Sequence, residues 1–453
     1  MRRPGRLDAV DRRILALAIP ALATLVVEPL YVLADTAIVG HLGTVSLGAL
    51  ALAATVLNTV LWACNFLQWG TTARVAFLTG REDRQGAASS AAQALWVGIA
   101  LGVVMAVGVA VLARPLASAL GGTGAIRSQA VTYLRISAIG MPAVLIAVVA
   151  QGHLRGLSDT KTPFLVVLVA NVLNVALELL FVYAFHWGIA GSAWGTVVAQ
   201  LLAAAWFVGI VGRIVSHADA RLRPVLAEIR QLLGIGGHLV IRTGALLTAF
   251  VLATSVAARV GPATLAGHQI AYQTLIFLAF VMDALALSVQ AIVGTQLGGG
   301  DVDGARETST HALRLGYMAA AVLCVAVVAA SPLLPRVFTS DPKVIDKAIV
   351  ALLFVGVIQL PGAPTFVLDG VLMGGADFAY VKWVTVASLA VYVPFAAAVL
   401  ASHELGITVI WVGLLVWITV RAALNWLRFR GPRWTAISVT KLPNPQPSAV
   451  HDA

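Results

Sequence analysis

Charge is scarce in this chain. Only 11% of its 453 residues are Asp, Glu, Lys or Arg, against roughly 25% in soluble domains. Acids are the scarcer sign, 20 against 30 Lys and Arg, for a formal net charge of +10. Cysteine is nearly absent. Cys64 and Cys324 both lie in apolar runs, so they read as small core residues and a disulfide framework is excluded. No HExxH, nucleophile elbow or Cys/His metal spacing occurs. Gly298-Gly299-Gly300 lacks the Lys-Ser/Thr continuation of a phosphate loop and reads as a turn. No cofactor is expected, and an intramembrane enzyme has no visible catalytic constellation.

Apolar residues fill the space that charge leaves. The chain is 60% hydrophobic, with a mean hydropathy of +0.92. Twelve apolar segments run at about 14–40, 46–78, 88–113, 130–153, 162–185, 189–213, 233–258, 264–297, 311–335, 347–373, 380–402 and 405–427. Each is long enough to cross a bilayer as a helix. The first is too long for a signal-peptide core. The expected fold is an all-α polytopic membrane protein with twelve transmembrane helices and the lipid bilayer as its solvent.

An even number of spans puts both termini on one side. Arg2, Arg3, Arg6, Arg12 and Arg13 precede the first span, and the tail adds Arg421, Arg428, Arg430, Arg433 and Lys441. Arg74, Arg81, Arg84, Arg155, Lys161, Arg213, Arg221, Arg223, Arg230, Arg306, Arg314 and Lys382 fall in or beside even-numbered connections. The other side has only Arg114, Arg127, Arg259, Arg336, Lys343 and Lys347. The expected host is the cytoplasmic (plasma) membrane, and the positive-inside rule predicts cytoplasmic termini. It also accounts for the basic pI, so no nucleic-acid partner is expected.

The two halves repeat. Gly43/Gly261, Gly80/Gly298, Asp83/Asp301, Gly86/Gly304 and Gly188/Gly406 are each 218 residues apart. Six spans per half gives a parallel repeat, and transporters with two such lobes bind substrate between them. The expected layout is a cytoplasmic segment 1–13, a first lobe 14–213, a linker 214–232, a second lobe 233–427 and a disordered tail 428–453. The lobes are pseudo-symmetric six-helix bundles.

Against that symmetry, intramembrane acids are unevenly placed. Glu28 and Asp35 are seven residues apart, about two helical turns, and share a face of the first span. Adding 218 to Glu28, Asp35, Asn174, Glu178 and Thr196 lands on Leu246, Ala253, Tyr392, Ala396 and Leu414. Packing alone would place similar demands on both lobes. Charged residues inside a bilayer cost free energy, face a bundle interior or aqueous cavity, and often carry ions or protons. The stretch from Glu28 to Asp35 therefore reads as the coupling site of a transporter. Polar glue between helices is the competing reading.

Several motifs resemble those of the MATE (multidrug and toxic compound extrusion) transporters, most closely the DinF-like branch. They are Pro29 through Asp35-Thr36-Ala37-Ile38-Val39-Gly40-His41-Leu42-Gly43, Tyr133-Leu134-Arg135-Ile136 and Gly140-Met141-Pro142. Arg155 through Pro163, Ala266-Gly267-His268-Gln269 and Asp369-Gly370-Val371-Leu372-Met373-Gly374 complete the set. The resemblance implies two six-helix lobes and cation-coupled export of amphipathic, often cationic compounds by a monomer. It implies ion coupling at Asp35 with Asn174, Glu178 and Thr196, and Glu28 lining the same pocket. H+ is the expected ion and Na+ the alternative. The family's fifth-helix acid is commonly Asp, so Glu178 is one methylene longer.

The remaining candidates have two readings each. Pro20 and Pro29 are either static kinks or a bend that moves with ion binding. Trp62, Phe66 and Tyr133 either line a drug cavity or anchor the spans. Arg242 pairs structurally with Asp283 or Asp369, unless Asp369 contacts a cationic substrate. A flippase for a lipid-linked or amphipathic metabolite is the alternative function. It would want a basic central cavity.

Overall fold

The computed structural model describes residues 8–218, 220, 222–402 and 406–436. Arg2, Arg3, Arg6, Arg221 and Lys441, and most of the expected tail, lie outside the described residues. Among the described residues the chain is helical throughout, with no strand. Its helices are α1 (Ala9–Gly40), α2 (Thr44–Cys64), α3 (Phe66–Gly80), α4 (Arg84–Ala119), α5 (Gly124–Gly156), α6 (Lys161–Leu179), α7 (Gly188–His217) and α8 (Leu226–Val260). They continue as α9 (Pro262–Gly298), α10 (Val302–Ala330), α11 (Leu334–Phe338), α12 (Pro342–Gly374), α13 (Phe378–Ala401) and α14 (Gly406–Arg430). A π-helical turn, Leu180–Ala184, extends α6. With α2 and α3 forming one span across a break at Asn65, twelve helices are long and apolar enough to cross a membrane. Val104, Val107 and Val111 are exposed on α4, an apolar stripe of the kind that lipid covers.

The helices divide into two compact units, Pro20–Gly236 and Gly237 onward joined by the stretch before Pro20. These limits fall elsewhere than at the expected lobe edges. Helix α1 changes unit at Pro20, and α8 changes unit at Gly237, 237 − 20 = 217 residues later. Side-chain pairing accounts for both. Asp11 on α1 is fully buried and accepts from His311 Nδ1 at 2.8 Å and from the Arg314 guanidinium of α10. Arg74 of α3 pairs with Glu228 at the start of α8, at 3.5 Å. The expected linker, 214–232, thus includes the end of α7 and the packed first turns of α8.

Each unit is built around a small-residue helix, α5 in one and α12 in the other. A methyl on Gly152 of α5 would lie 2.7 Å from the Gln68 carbonyl of α3, and one on Gly156 would lie 2.7 Å from Val75. On α12, a methyl at Gly370 would collide with the Ala286 carbonyl of α9, and one at Gly374 would lie 2.8 Å from the Gln290 carbonyl. The two pairs are again 218 apart (370 − 152 and 374 − 156), so the repeat extends to backbone contacts that only glycine permits. The two repeated loops also cap alike. Asp83 Oδ1 accepts from the Gly86 N–H at 2.7 Å, and Asp301 Oδ1 from the Gly304 N–H at 2.8 Å.

Candidate ion-coupling site

Four helices of the Pro20–Gly236 unit converge on a buried polar cluster. Helix α1 contributes Tyr31 and Asp35, one turn apart, and α5 contributes Tyr133. Helix α6 contributes Asn174 and Glu178, also one turn apart, and α7 contributes Ser192 and Thr196. Asp35, Tyr133, Asn174, Glu178, Ser192 and Thr196 are all buried. Local sequence explains the approach of α6 to α7. Gly191 and Gly195 are four apart on α7, a small-xxx-small face. A methyl on Gly195 would lie 3.0 Å from the Glu178 nitrogen, and one on Gly191 would lie 2.8 Å from the Phe181 carbonyl carbon. The π-helical turn that follows Glu178 swings Tyr183 so that its hydroxyl donates to the Ile38 carbonyl of α1 at 2.9 Å. This ties α6 to the turn just beyond Asp35.

The bonds inside the cluster are specific. Ser192 Oγ donates to Asp35 Oδ1 at 2.7 Å. Tyr31 OH and Thr196 Oγ1 each reach Glu178 Oε1 at 3.2 Å, and they lie 3.0 Å from one another. The Asp35 and Glu178 carboxyl groups are themselves hydrogen-bonding neighbours, and the Tyr133 hydroxyl neighbours Ser192 and Thr196. Glu178 Oε2 and Asn174 Oδ1 are buried with no donor facing them. Among the described residues no Lys, Arg or His bonds either acid. Two carboxyl groups in contact cannot both hold a full negative charge there, so the arrangement suits a shared proton. The same oxygens also form a donor set suited to a hard cation such as Na+.

The cluster unites Asp35, Asn174, Glu178, Thr196 and Tyr133 from the sequence-derived candidates. Tyr133 stands among the acids rather than with the other aromatics. Glu28 stands apart. It is exposed and makes no hydrogen bond among the described residues. It shares a helix face with Asp35, but two turns put it about 10 Å away along the axis, whereas Glu178 and Ser192 stand at the level of Asp35. Pro20 and Pro29 lie inside α1, which remains helical through both, and Thr24 Oγ1 donates to the Pro20 carbonyl at 2.8 Å. Phe66 packs against Gly236 of α8, and Trp62 is exposed. Tyr31 and Ser192 were missed by sequence reasoning. Each is one turn from a named residue, Asp35 or Thr196, and helical spacing was the available signal.

The second polar cluster belongs to the other unit. Asp369 Oδ2 accepts from Arg242 at 2.6 Å and from Arg421 at 2.9 Å, and Asp369 Oδ1 accepts from Asn425 at 2.7 Å. Arg242 therefore pairs with Asp369 and not with Asp283, which has no ion pair or hydrogen bond among the described residues. With both oxygens engaged by basic or amide donors, Asp369 is a structural anchor in this arrangement rather than an open contact for a cation. Arg421, expected among the cytoplasmic charges of the tail, instead lies buried within α14; its pairing and that of Asn425 were not foreseen, because their partner lies two spans earlier in the chain.

Comparison with known proteins agrees with this architecture. The MatE family model matches residues 20–180 and 244–399. The chain is 30% identical over 433 residues to Protein DETOXIFICATION 44, chloroplastic, of Arabidopsis thaliana, covering 92% of this chain and 82% of that protein. It is 26% identical over 449 residues to DNA damage-inducible protein F of Escherichia coli (strain K12), covering 95% of each. Among solved structures, a MATE protein in the bent conformation superposes with a TM-score of 0.87 at 22% identity, over 96% of this chain and 97% of that one. A MOP superfamily transporter from Pyrococcus furiosus superposes with a TM-score of 0.85 at 21% identity, over 94% and 96%. The match to the family model across both halves, together with the twelve-helix fold, shows that the chain belongs to the MatE family, and it is a multi-pass membrane efflux transporter, not an enzyme.

Proposed function

We propose that this transporter is an antiporter that exports amphipathic or cationic small molecules in exchange for protons. The proton is bound at the Asp35–Glu178 pair. The observation that carries this reading is two buried acids in contact, held by Ser192, Thr196 and Tyr31, with no basic partner among the described residues. Such a pair takes up one proton as a unit. Protonation replaces repulsion between the acids by a hydrogen bond and so favours whichever state packs them together. Coupling needs only that proton and substrate favour different states. Names such as Probable multidrug resistance protein NorM, of Thermotoga maritima, support efflux of varied compounds. The arginine distribution supports an orientation with both termini on the cytoplasmic side.

The test is efflux of a fluorescent cationic dye from vesicles carrying the purified protein under an imposed proton gradient. Wild type is expected to move dye, and Asp35→Asn is expected to fold, insert and fail. Wild-type transport by Asp35→Asn would overturn the site. Sodium coupling is the second reading, favoured by the unengaged oxygens of Asn174 and Glu178. It predicts transport driven by a sodium gradient at constant pH.

A further inference from the structure

One cavity of the Pro20–Gly236 unit is not used by this mechanism. It has a volume of about 870 Å³ and opens between the starts or ends of α4, α5 and α7. Arg84, Arg213, His217 and Glu82 surround it, Ala88 and Leu157 supply apolar wall, and His153 lines it from a fully buried position. Neither the Arg84 nor the Arg213 guanidinium has an ion pair or hydrogen bond among the described residues. Both ring nitrogens of His153 are buried and unpartnered. A neutral imidazole always carries one N–H, so His153 holds an unused donor beside the cavity in either tautomer. A buried polar group without a partner calls for an explanation such as a missing ligand or water.

The repeat sharpens the point. Adding 218 to Arg84, His153 and Arg213 lands on Val302, Val371 and Gly431. Ala88 and Leu157 correspond to Arg306 and Gly375 (306 − 88 and 375 − 157, each 218). In the second half those two positions hold Trp434. Its ring lies 6.0 Å from the Arg306 guanidinium carbon, and its carbonyl oxygen would lie 2.9 Å from a methyl on Gly375. Trp434 is fully buried. The second half thus fills with an indole the place that the first half leaves open and lines with basic side chains. Packing does not require that difference, because the surrounding helices repeat.

We propose that this cavity binds a phosphate group, with Arg84 and Arg213 as charge partners and His153 as the donor at its floor. Guanidinium groups fit phosphate oxygens. The cavity lies where spans end, at the depth of lipid headgroups, and its apolar wall suits the glycerol end of an anionic phospholipid. A soluble phosphate offers the same chemistry.

The experiment uses the full-length protein in neutral detergent. Binding is read by native mass spectrometry and by the melting temperature. The probes are phosphatidylglycerol, diacylglycerol of the same chains, and inorganic phosphate. Phosphatidylglycerol is expected to bind and raise the melting temperature, and diacylglycerol to do neither. The double variant Arg84→Gln/Arg213→Gln is expected to lose about tenfold or more in affinity. Both residues are exposed, so the variant should melt like wild type without lipid. Arg114→Gln, exposed at the other end of α4, should bind like wild type. Protection by inorganic phosphate that the double variant loses would support the site and assign it a soluble ligand. Equal binding of phosphatidylglycerol by wild type and double variant, or equal binding of diacylglycerol and phosphatidylglycerol, would overturn the proposal.

Discussion

At the residue scale, the proposed coupling assigns the ion to the two acids of the cluster and leaves their neighbours to hold them. Glu178 accepts from Tyr31 and Thr196 through one oxygen and faces Asp35. Glu178→Gln keeps the shape and removes the exchangeable charge. It is expected to abolish gradient-driven dye efflux while leaving the melting temperature close to wild type. Tyr31→Phe removes one donor of two. A net hydrogen bond of about 1 kcal/mol is a factor of about five, so transport is expected to fall about that much rather than vanish, as read from initial efflux rates. The acids themselves were legible in the sequence, because charge inside an apolar run is conspicuous. Tyr31 and Ser192 were not, because tyrosine and serine are ordinary in membrane helices and acquire meaning only through what stands opposite.

At the element scale, the approach of α6 to α7 depends on Gly191 and Gly195, and the central packing of the second unit depends on Gly370 and Gly374. These contacts differ in what they protect. Gly195→Ala sets a methyl against the Glu178 backbone and pushes the acid away from Asp35, so efflux should drop while the protein still inserts. Gly370→Ala sets a methyl against a carbonyl oxygen in the core of the unit. Overpacking of this kind costs roughly 1–3 kcal/mol, so its main effect should be a lower melting temperature in detergent. The spans were readable from apolar length alone. The break at Asn65 and the π-helical turn after Glu178 were not, because both arise from how neighbouring helices fit and neither interrupts hydropathy.

At the scale of the whole molecule, the two halves share a backbone plan and differ in their polar chemistry. One unit holds two acids together with no base bonded to them among the described residues; the other holds Asp369 between Arg242 and Arg421. Removing a partner from a buried pair leaves charge uncompensated and costs about 3–5 kcal/mol. Asp369→Ala is therefore expected to lower thermal stability sharply, whereas Asp35→Asn, which strands no cation, should melt near wild type. Side-by-side thermal melts of the two variants check this. An equal loss of stability in both would remove the distinction between a coupling site and a structural one.

By itself the sequence determined the membrane class, the twelve spans and the repeat, and it showed that the polar set around Asp35 has no counterpart in the second half. Those properties follow from local composition and from periodicity along the chain, which need no knowledge of neighbours. Tertiary structure alone decided that Glu178 meets Asp35 while Glu28 does not, and that Arg242 turns to Asp369. It also decided that α1 and α8 change unit partway along. These outcomes depend on which helix faces which and at what depth, and side-chain contacts between distant spans leave no periodic trace in the order of residues.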